Sequence, residues 1–264
     1  MTALPPIDGN FPSETLLRLS EIAIEAGRVI EAIYAGDFAV GHKSDESPVT
    51  EADLAAEKII LERLKQFDPS IPIVSEEAAS AGHVPDHGMG RFWLVDPLDG
   101  TKEFVRRSGE FTVNIGLIEG GTPVLGVVLA PVPKLLYAGG REGAWKKDGD
   151  GSWAPIACRI PPPEGLSVVA SRSHGDPERI ASYLAGRKIA EMVKAGSSLK
   201  ICRIAEGSAD VYPRFGPTSE WDTAAAHAVL LGAGGRLITL DGKELVYGKS
   251  SVRNPDFVAW GLGL

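Results

Sequence analysis

Trp93-Leu94-Val95-Asp96-Pro97-Leu98-Asp99-Gly100-Thr101 is the stretch whose reading decides the fold. An apolar run ends in two aspartates that flank Pro-Leu, and Gly-Thr follows, which predicts a strand emptying into a tight turn that starts a helix. Such a turn sets both carboxylates at one strand end and aims free backbone N–H groups at the same space. Carboxylates bind hard cations and free N–H groups bind phosphate, so one corner can hold both. Asp-Pro and Asp-Gly are also ordinary turn formers, and either dipeptide alone says no more than that.

Upstream, residues 13–34 carry apolar side chains at Leu16, Leu19, Ile22, Ala23, Ala26, Val29, Ile30 and Ile33, the spacing of a one-faced helix, with Ser13 and Thr15 as cap candidates. A polar loop over residues 42–48 leads to Thr50-Glu51-Ala52-Asp53 and a second helix ending near Gln66. Thr50 with an acid three residues on fits a capping box, so helix capping accounts for Asp53 by itself. Residues 71–77 predict a short strand ending in Glu76 and Glu77, and residues 78–90, rich in Gly, Ala, His and Pro, a loop.

Downstream, residues 112–129 predict a hairpin that turns at Glu119-Gly120-Gly121-Thr122. Short strands at 135–138 and 144–147 make this half mainly an antiparallel sheet with helices on one side. Asp148-Gly149-Asp150-Gly151 lacks the closing acid of a calcium loop and reads as a surface turn. Pro161-Pro162-Pro163 is the boundary candidate, dividing the chain into residues 1–160 and 161–264. Beyond it the pattern alternates: strand 166–170, helix 177–185, strand near 191–193, helix 198–206, strand 210–212, helix 222–231 and strand 236–240. The fold class is therefore α+β passing into α/β.

The 264 residues are 44% hydrophobic and 23% charged, enough to bury a core in a soluble globular protein. A formal charge of −8 argues against nucleic-acid binding, and an anionic substrate would need bound cations or a few placed Lys and Arg. Cys158 and Cys202 have no CxxC spacing and suit a reducing cytoplasm. His42, His83, His87, His174 and His227 show no zinc spacing, and Gly139-Gly140 and Gly232-Ala233-Gly234-Gly235 are neither GxGxxG nor a Walker loop. Ser173 and Ser197 sit in no nucleophile elbow. The start of the chain has no signal-peptide pattern and no run of 18 apolar residues occurs, so no transmembrane segment is expected.

Asp53, Glu76, Asp96, Asp99 and Asp222 share one kind of position, where a helix begins or a strand ends. Such ends converge on one edge of a sheet. Carboxylates gathered there repel unless cations compensate, which makes magnesium the natural partner. A pair of cations bridged by acids is a standard device for phosphate hydrolysis.

Ser75-Glu76-Glu77, Asp96-Pro97-Leu98-Asp99-Gly100-Thr101 and Glu220-Trp221-Asp222-Thr223-Ala224-Ala225 resemble, in order and spacing, the three signature blocks of the inositol monophosphatase superfamily of lithium-sensitive, magnesium-dependent phosphatases. Within it, Lys102-Glu103-Phe104, Ser171-Arg172-Ser173-His174, Gly196-Ser197-Ser198-Leu199-Lys200 and residues 212–218 resemble the bacterial CysQ type. The inositol enzymes usually continue the Gly-Thr block with Thr-Asn-Phe, so the departure falls on a substrate-side position. The resemblance implies a layered α-β-α-β-α sandwich of the sugar phosphatase type. The activity it implies is that of a 3'(2'),5'-bisphosphate nucleotidase, which removes the 3'-phosphate of adenosine 3',5'-bisphosphate, a by-product of sulfate assimilation.

It also implies roles. Glu76, Asp96 and the Leu98 carbonyl would hold one magnesium ion; Asp96, Asp99 and Asp222 would hold another. Thr101 and Asp53, with Glu76, would orient or deprotonate the attacking water, beside a third and weaker cation. Substrate would meet Leu98, Asp99, Gly100, Thr101 and Asp222 at the scissile phosphate, and His174, Ser197, Lys200 and Arg214 at the sugar, base and second phosphate. Lys200 can equally be a solvated helix residue and His174 a helix cap. The location implied is cytoplasmic, with peripheral attachment at the inner membrane left open, and the molecule is a monomer or homodimer. Two rivals stand beside this reading: an inositol or sugar phosphatase of the same fold, and a metal-bound protein or RNA regulator without catalysis.

Overall fold

The apolar spacing of residues 13–34 forms α1 (Glu14–Ala35), whose buried Leu16, Leu19, Ala23, Ala26 and Ile30 lie on one face. The computed structural model describes residues 11–43, 48–88, 90–171 and 176–263. Ser13 occupies the N-cap position of α1, but its side chain makes no capping bond. A small antiparallel pair, β1 (Val40–His42) and β2 (Pro48–Thr50), then leads into α2 (Glu51–Phe67), which buries Ala52, Ala56, Ile60 and Leu64 at every fourth position.

β3 (Ile73–Ser75) is followed directly by a short helix, α3 (Glu76–Ser80), so Glu76 and Glu77 open a helix instead of ending a strand. β4 (Arg91–Asp99) runs past Asp96, with a register shift against its neighbour between Asp96 and Asp99. Pro97 lies within that shift and has no N–H to give the ladder. Gly100, at φ 96, makes the turn into α4 (Thr101–Val105).

β5 (Thr112–Glu119) and β6 (Thr122–Ala130) form the expected hairpin, with Gly120 and Gly121 both at positive φ as a two-residue turn of that hand requires. The chain continues through β7 (Leu135–Gly140), β8 (Gly143–Asp148) and β9 (Ala154–Pro155). Beyond Pro161 come β10 (Leu166–Ser171), α5 (Pro177–Tyr183), β11 (Ile189–Ala195), α6 (Leu199–Ala205) and β12 (Val211–Arg214). The last elements are α7 (Ala224–Gly232), β13 (Arg236–Thr239) and β14 (Phe257–Trp260). Asp176 caps α5 by accepting the Arg179 N–H at 3.0 Å.

Among the described residues the strands form two larger sheets, ordered β3-β4-β5-β6-β7-β8-β9 and β11-β10-β12-β14-β13. Along β4, Trp93 and Val95 enter the core under α1 and α2, whereas Phe92 and Leu94 enter the core shared with α6 and α7. The first sheet is therefore covered on both faces, not on one as its antiparallel pattern predicts. A third core joins Ile180 and Leu184 of α5 to Leu166, Val168, Val211 and Val258. The layers run α1/α2, first sheet, α6/α7, second sheet, α5, the expected α-β-α-β-α order.

Three glycines explain how α7 reaches the site. Gly116, Gly126 and Gly139 stand side by side across β5, β6 and β7. A Cβ added to them would lie 3.0 Å from the Ala225 nitrogen, 2.1 Å from the Ala225 oxygen and 2.6 Å from the Val229 Cα. The helix backbone thus rests on a floor without side chains, starting over β5, next to the strand that carries Asp96. Gly126→Ala is expected to destabilise the fold by about 3 kcal/mol or more, because the obstructing atom is backbone. Urea unfolding measures this, and activity should fall with it as the N-terminal end of α7, with Asp222, is lifted.

Candidate active site

Glu76, Asp96, Leu98, Asp99, Gly100, Thr101, Ser197, Lys200, Arg214 and Asp222 all line one cleft of about 250 Å³. They arrive from α3, the end of β4 and its turn into α4, the start of α6 and the turn before it, β12, and the turn into α7. Asp53 lies beneath the cleft, fully buried, and reaches it through Thr101, whose Oγ1 donates to Asp53 Oδ1 at 3.2 Å. Its other oxygen, Oδ2, accepts the Thr50 N–H and the Thr50 hydroxyl, each at 2.7 Å, and Thr50 Oγ1 accepts the Ala52 N–H at 3.2 Å. The capping box is therefore real, and it leaves one carboxylate oxygen for Thr101. His174 lies outside the described residues.

The acids repel one another. Asp96 is 1% exposed, and burial together with the charges of Glu76, Asp99 and Asp222 holds its carboxyl well above the ordinary range. Burial raises Asp222 to about 8, with Asp99 and Glu76 adding to the rise, and raises Asp99 to about 6 against the pull of Lys200. Backbone N–H groups hold the acids in place: Leu98 N–H donates to Asp96 Oδ1 at 3.0 Å and Ser219 N–H to Asp222 Oδ2 at 2.8 Å.

Residues that the sequence did not single out complete the arrangement. Lys43, within the loop between β1 and β2, donates to Glu76 Oε1 at 2.7 Å and to Glu77 Oε1 at 2.6 Å. Glu77 is buried and raised to about 7 by desolvation, despite that ion pair. No local signal announces Lys43, since its partners lie more than thirty residues away. Glu220 of the third motif points away from the cleft, accepting the Gly248 and Lys249 N–H groups at 2.9 and 3.0 Å.

Two cations line the same cleft. Lys200 is 8% exposed, hence no solvated helix residue, and lies over the Tyr212 ring at 5.6 Å. Burial lowers its pKa to about 8, opposed by Asp99 and assisted by Arg214. Arg214 is 7% exposed and donates through Nη2 to the Pro217 carbonyl at 3.0 Å. Desolvated cations facing an open cleft are suited to a multiply charged anion. The Ser197 hydroxyl lies 2.7 Å from the Asp99 carbonyl oxygen and 2.9 Å from that of Glu110.

The donor set fits magnesium in kind: hard oxygens only, four carboxylates and a backbone carbonyl, carrying like charges that need neutralising. Among the described residues no three His, Cys, Asp or Glu side chains are gathered tightly enough to enclose an ion.

The inositol monophosphatase family model matches residues 13–260. The chain belongs to the inositol monophosphatase family. Within the family it is 48% identical over 246 residues to the 3'(2'),5'-bisphosphate nucleotidase CysQ of Salmonella typhimurium, covering 92% of this chain and 98% of that one. The CysQ structure from Bacteroides thetaiotaomicron, described as a bacterial member of the family, superposes with a TM-score of 0.79 at 35% identity, covering 97% and 100% of the two chains. An inositol monophosphatase from Anabaena matches with a TM-score of 0.73 at 25% identity over 93% and 90%. Family members are typically metal-dependent phosphatases. No helix among the described residues is long and apolar enough to cross a membrane.

Proposed function

We propose that this chain is a magnesium-dependent 3'(2'),5'-bisphosphate nucleotidase that hydrolyses the 3'-phosphate of adenosine 3',5'-bisphosphate to AMP and phosphate. The observation that carries the reading is the pairing, in one cleft, of the acid group with the buried cations Lys200 and Arg214. A bisphosphate has one phosphate to react and a second to be held, and an acidic protein needs cations for the second. Similarity to the CysQ nucleotidases supports the same substrate class.

Glu76, Asp96 and the Leu98 carbonyl would hold one magnesium ion, Asp96, Asp99 and Asp222 another, and a third, weaker site would lie near Thr101 and Asp53. When bound, magnesium supplies a water of lowered pKa and neutralises charge on the phosphate and leaving oxygen. Thr101 Oγ1 would accept a hydrogen bond from the attacking water and, as it takes the water's proton, pass its own to Asp53 Oδ1, which ends as the protonated group. Gly100 and Thr101 N–H groups stabilise the developing charge on the phosphate oxygens. Lys200, Arg214, Ser197 and His174 form the nucleotide side. The division into residues 1–160 and 161–264 belongs to this reading. The first part brings most of the acids, and the second brings Asp222 and the cations.

Phosphate release from adenosine 3',5'-bisphosphate, inositol 1-phosphate and fructose 1,6-bisphosphate, each with and without magnesium, tests it. Magnesium-dependent preference for the nucleotide is expected, and faster turnover of inositol 1-phosphate would overturn the substrate assignment. Lys200→Met or Arg214→Met should raise KM for the bisphosphate by about 30-fold, with a much smaller effect on inositol 1-phosphate.

A further inference from the structure

The turn that carries Asp222 is gripped by residues 247–254, none of which lines the cleft. Glu220, 1% exposed, accepts the Gly248 N–H at 2.9 Å, the Lys249 N–H at 3.0 Å and the Lys249 ammonium at 2.5 Å. In return the Glu220 N–H donates to the Val252 carbonyl at 2.8 Å. Val252 has φ 47, a left-handed conformation that is an outlier for a β-branched residue, and such strain persists only where surrounding bonds over-determine it. Two residues on, Asn254 closes the contact. Its backbone N–H donates at 2.9 Å to the Thr218 carbonyl, which belongs to the same peptide as the Ser219 N–H that donates to Asp222 Oδ2 at 2.8 Å. Its side-chain Nδ2 reaches the Ser219 carbonyl at 2.7 Å, Thr223 Oγ1 at 3.0 Å and Thr218 Oγ1 at 3.3 Å. The Lys249 ammonium, facing Asn254 Oδ1 at 3.4 Å, sets which way the amide points. Thr223 Oγ1 also accepts the Tyr247 hydroxyl at 3.2 Å and donates to the Glu220 carbonyl at 3.2 Å, so its bonding capacity is filled.

We propose that Asn254 is a positioning residue for Asp222, its side-chain amide fixing the turn that aims this carboxylate into the cleft. The proposal rests on the reading of Asp222 as a magnesium ligand. Asn254 holds the chain on both sides of Asp222, at Ser219 before it and at Thr223 after it. One carboxylate oxygen is taken by the Ser219 N–H, and the carboxylate keeps its direction only while that peptide keeps its own. Groups that orient a metal ligand in this way set the affinity of the site without touching the metal.

The test is magnesium binding to the intact protein without substrate, followed by titration calorimetry, with thermal unfolding in the absence of magnesium and steady-state kinetics beside it. Asn254→Ala removes the amide and keeps the backbone bond to Thr218. It should weaken magnesium binding about tenfold or more and lower kcat, with KM for adenosine 3',5'-bisphosphate within about twofold at saturating magnesium. Thr223→Val deletes one acceptor of the amide and keeps the shape, and should weaken magnesium binding in the same direction even if Asn254→Ala folds poorly. Thr223→Ser should restore it. Arg253→Met removes a neighbouring bond, from Nη1 to the Ser219 hydroxyl at 3.3 Å, and should leave magnesium binding unchanged. Lower stability of Asn254→Ala and Thr223→Val with unchanged magnesium binding would overturn the proposal and reduce Asn254 to a structural contact. An equal loss in Arg253→Met would overturn it too, as a general loosening of the segment. If Asp222→Asn binds magnesium as the wild type does, the ligand reading of Asp222 fails and the proposal with it. Binding lost in Asp222→Asn but kept in Asn254→Ala sinks the proposal alone.

Discussion

Asp96→Asn is expected to reduce phosphate release at least about a thousandfold, equivalent to about 4 kcal/mol of transition-state stabilisation, while making the magnesium-free protein more stable. Both effects come from one charge. Asp96 is buried among Glu76, Asp99 and Asp222, and it is the acid assigned to both magnesium sites. An amide in its place still accepts the Leu98 N–H through its oxygen, so the local fold is kept. What disappears is a carboxyl that burial and its acidic neighbours disfavour in its charged form, and a gain of about 1–2 kcal/mol follows, a few degrees in Tm for a chain of this size. Thermal unfolding with and without magnesium checks the pair of predictions. The variant should melt higher than the wild type without magnesium and gain much less from its addition. A variant that melts lower without magnesium would show that the acids are neutralised by protons or by Lys43 more fully than their charges imply.

The second large effect separates two residues that share one hydrogen bond. Thr101→Ala should lower kcat by about 10²–10³, and it should change stability by less than about 0.5 kcal/mol, because Thr101 Oγ1 makes only long bonds, at 3.2 Å to Asp53 and 3.4 Å to the Leu98 carbonyl. Asp53→Ala should lower kcat comparably and also destabilise the protein by about 1–2 kcal/mol, since Asp53 closes the capping box of α2 through two bonds from Thr50. The double variant should be little slower than either single one, as expected of two groups that act as a unit. Additive losses in kcat would show that Asp53 and Thr101 work on the reaction separately.

The same two residues show what could be read in advance. Thr50 and Asp53 are three residues apart, and a capping box is decided by that spacing and by dihedrals that neighbours set. The hairpin turn at Gly120-Gly121 is legible for the same reason, since positive φ at both positions is a local demand that glycine meets. The acids Glu76, Asp96, Asp99 and Asp222 were recognisable from their places beside turns, and the cleft gathers all four. The errors were local as well. Glu76 is predicted to end a strand and instead begins a helix, because one or two residues of extended backbone look alike in sequence. β14 went unread because Phe257–Trp260 is short and gains its identity from pairing with β12 and β13.

By itself, then, the sequence determined the periodic elements, the turns and the kinds of atom that reach the cleft, and the layer order came from the family resemblance. The first three follow from contacts within a few residues, where the chain's own geometry fixes what can meet. The tertiary structure alone decided that α7 lies on Gly116, Gly126 and Gly139, that Lys43 pairs with Glu76 and Glu77, and that Ser197 seats its hydroxyl on the Asp99 carbonyl. Each of these joins residues that are distant in sequence, and a serine, a lysine or a glycine carries no mark of its partner until packing has brought the two together.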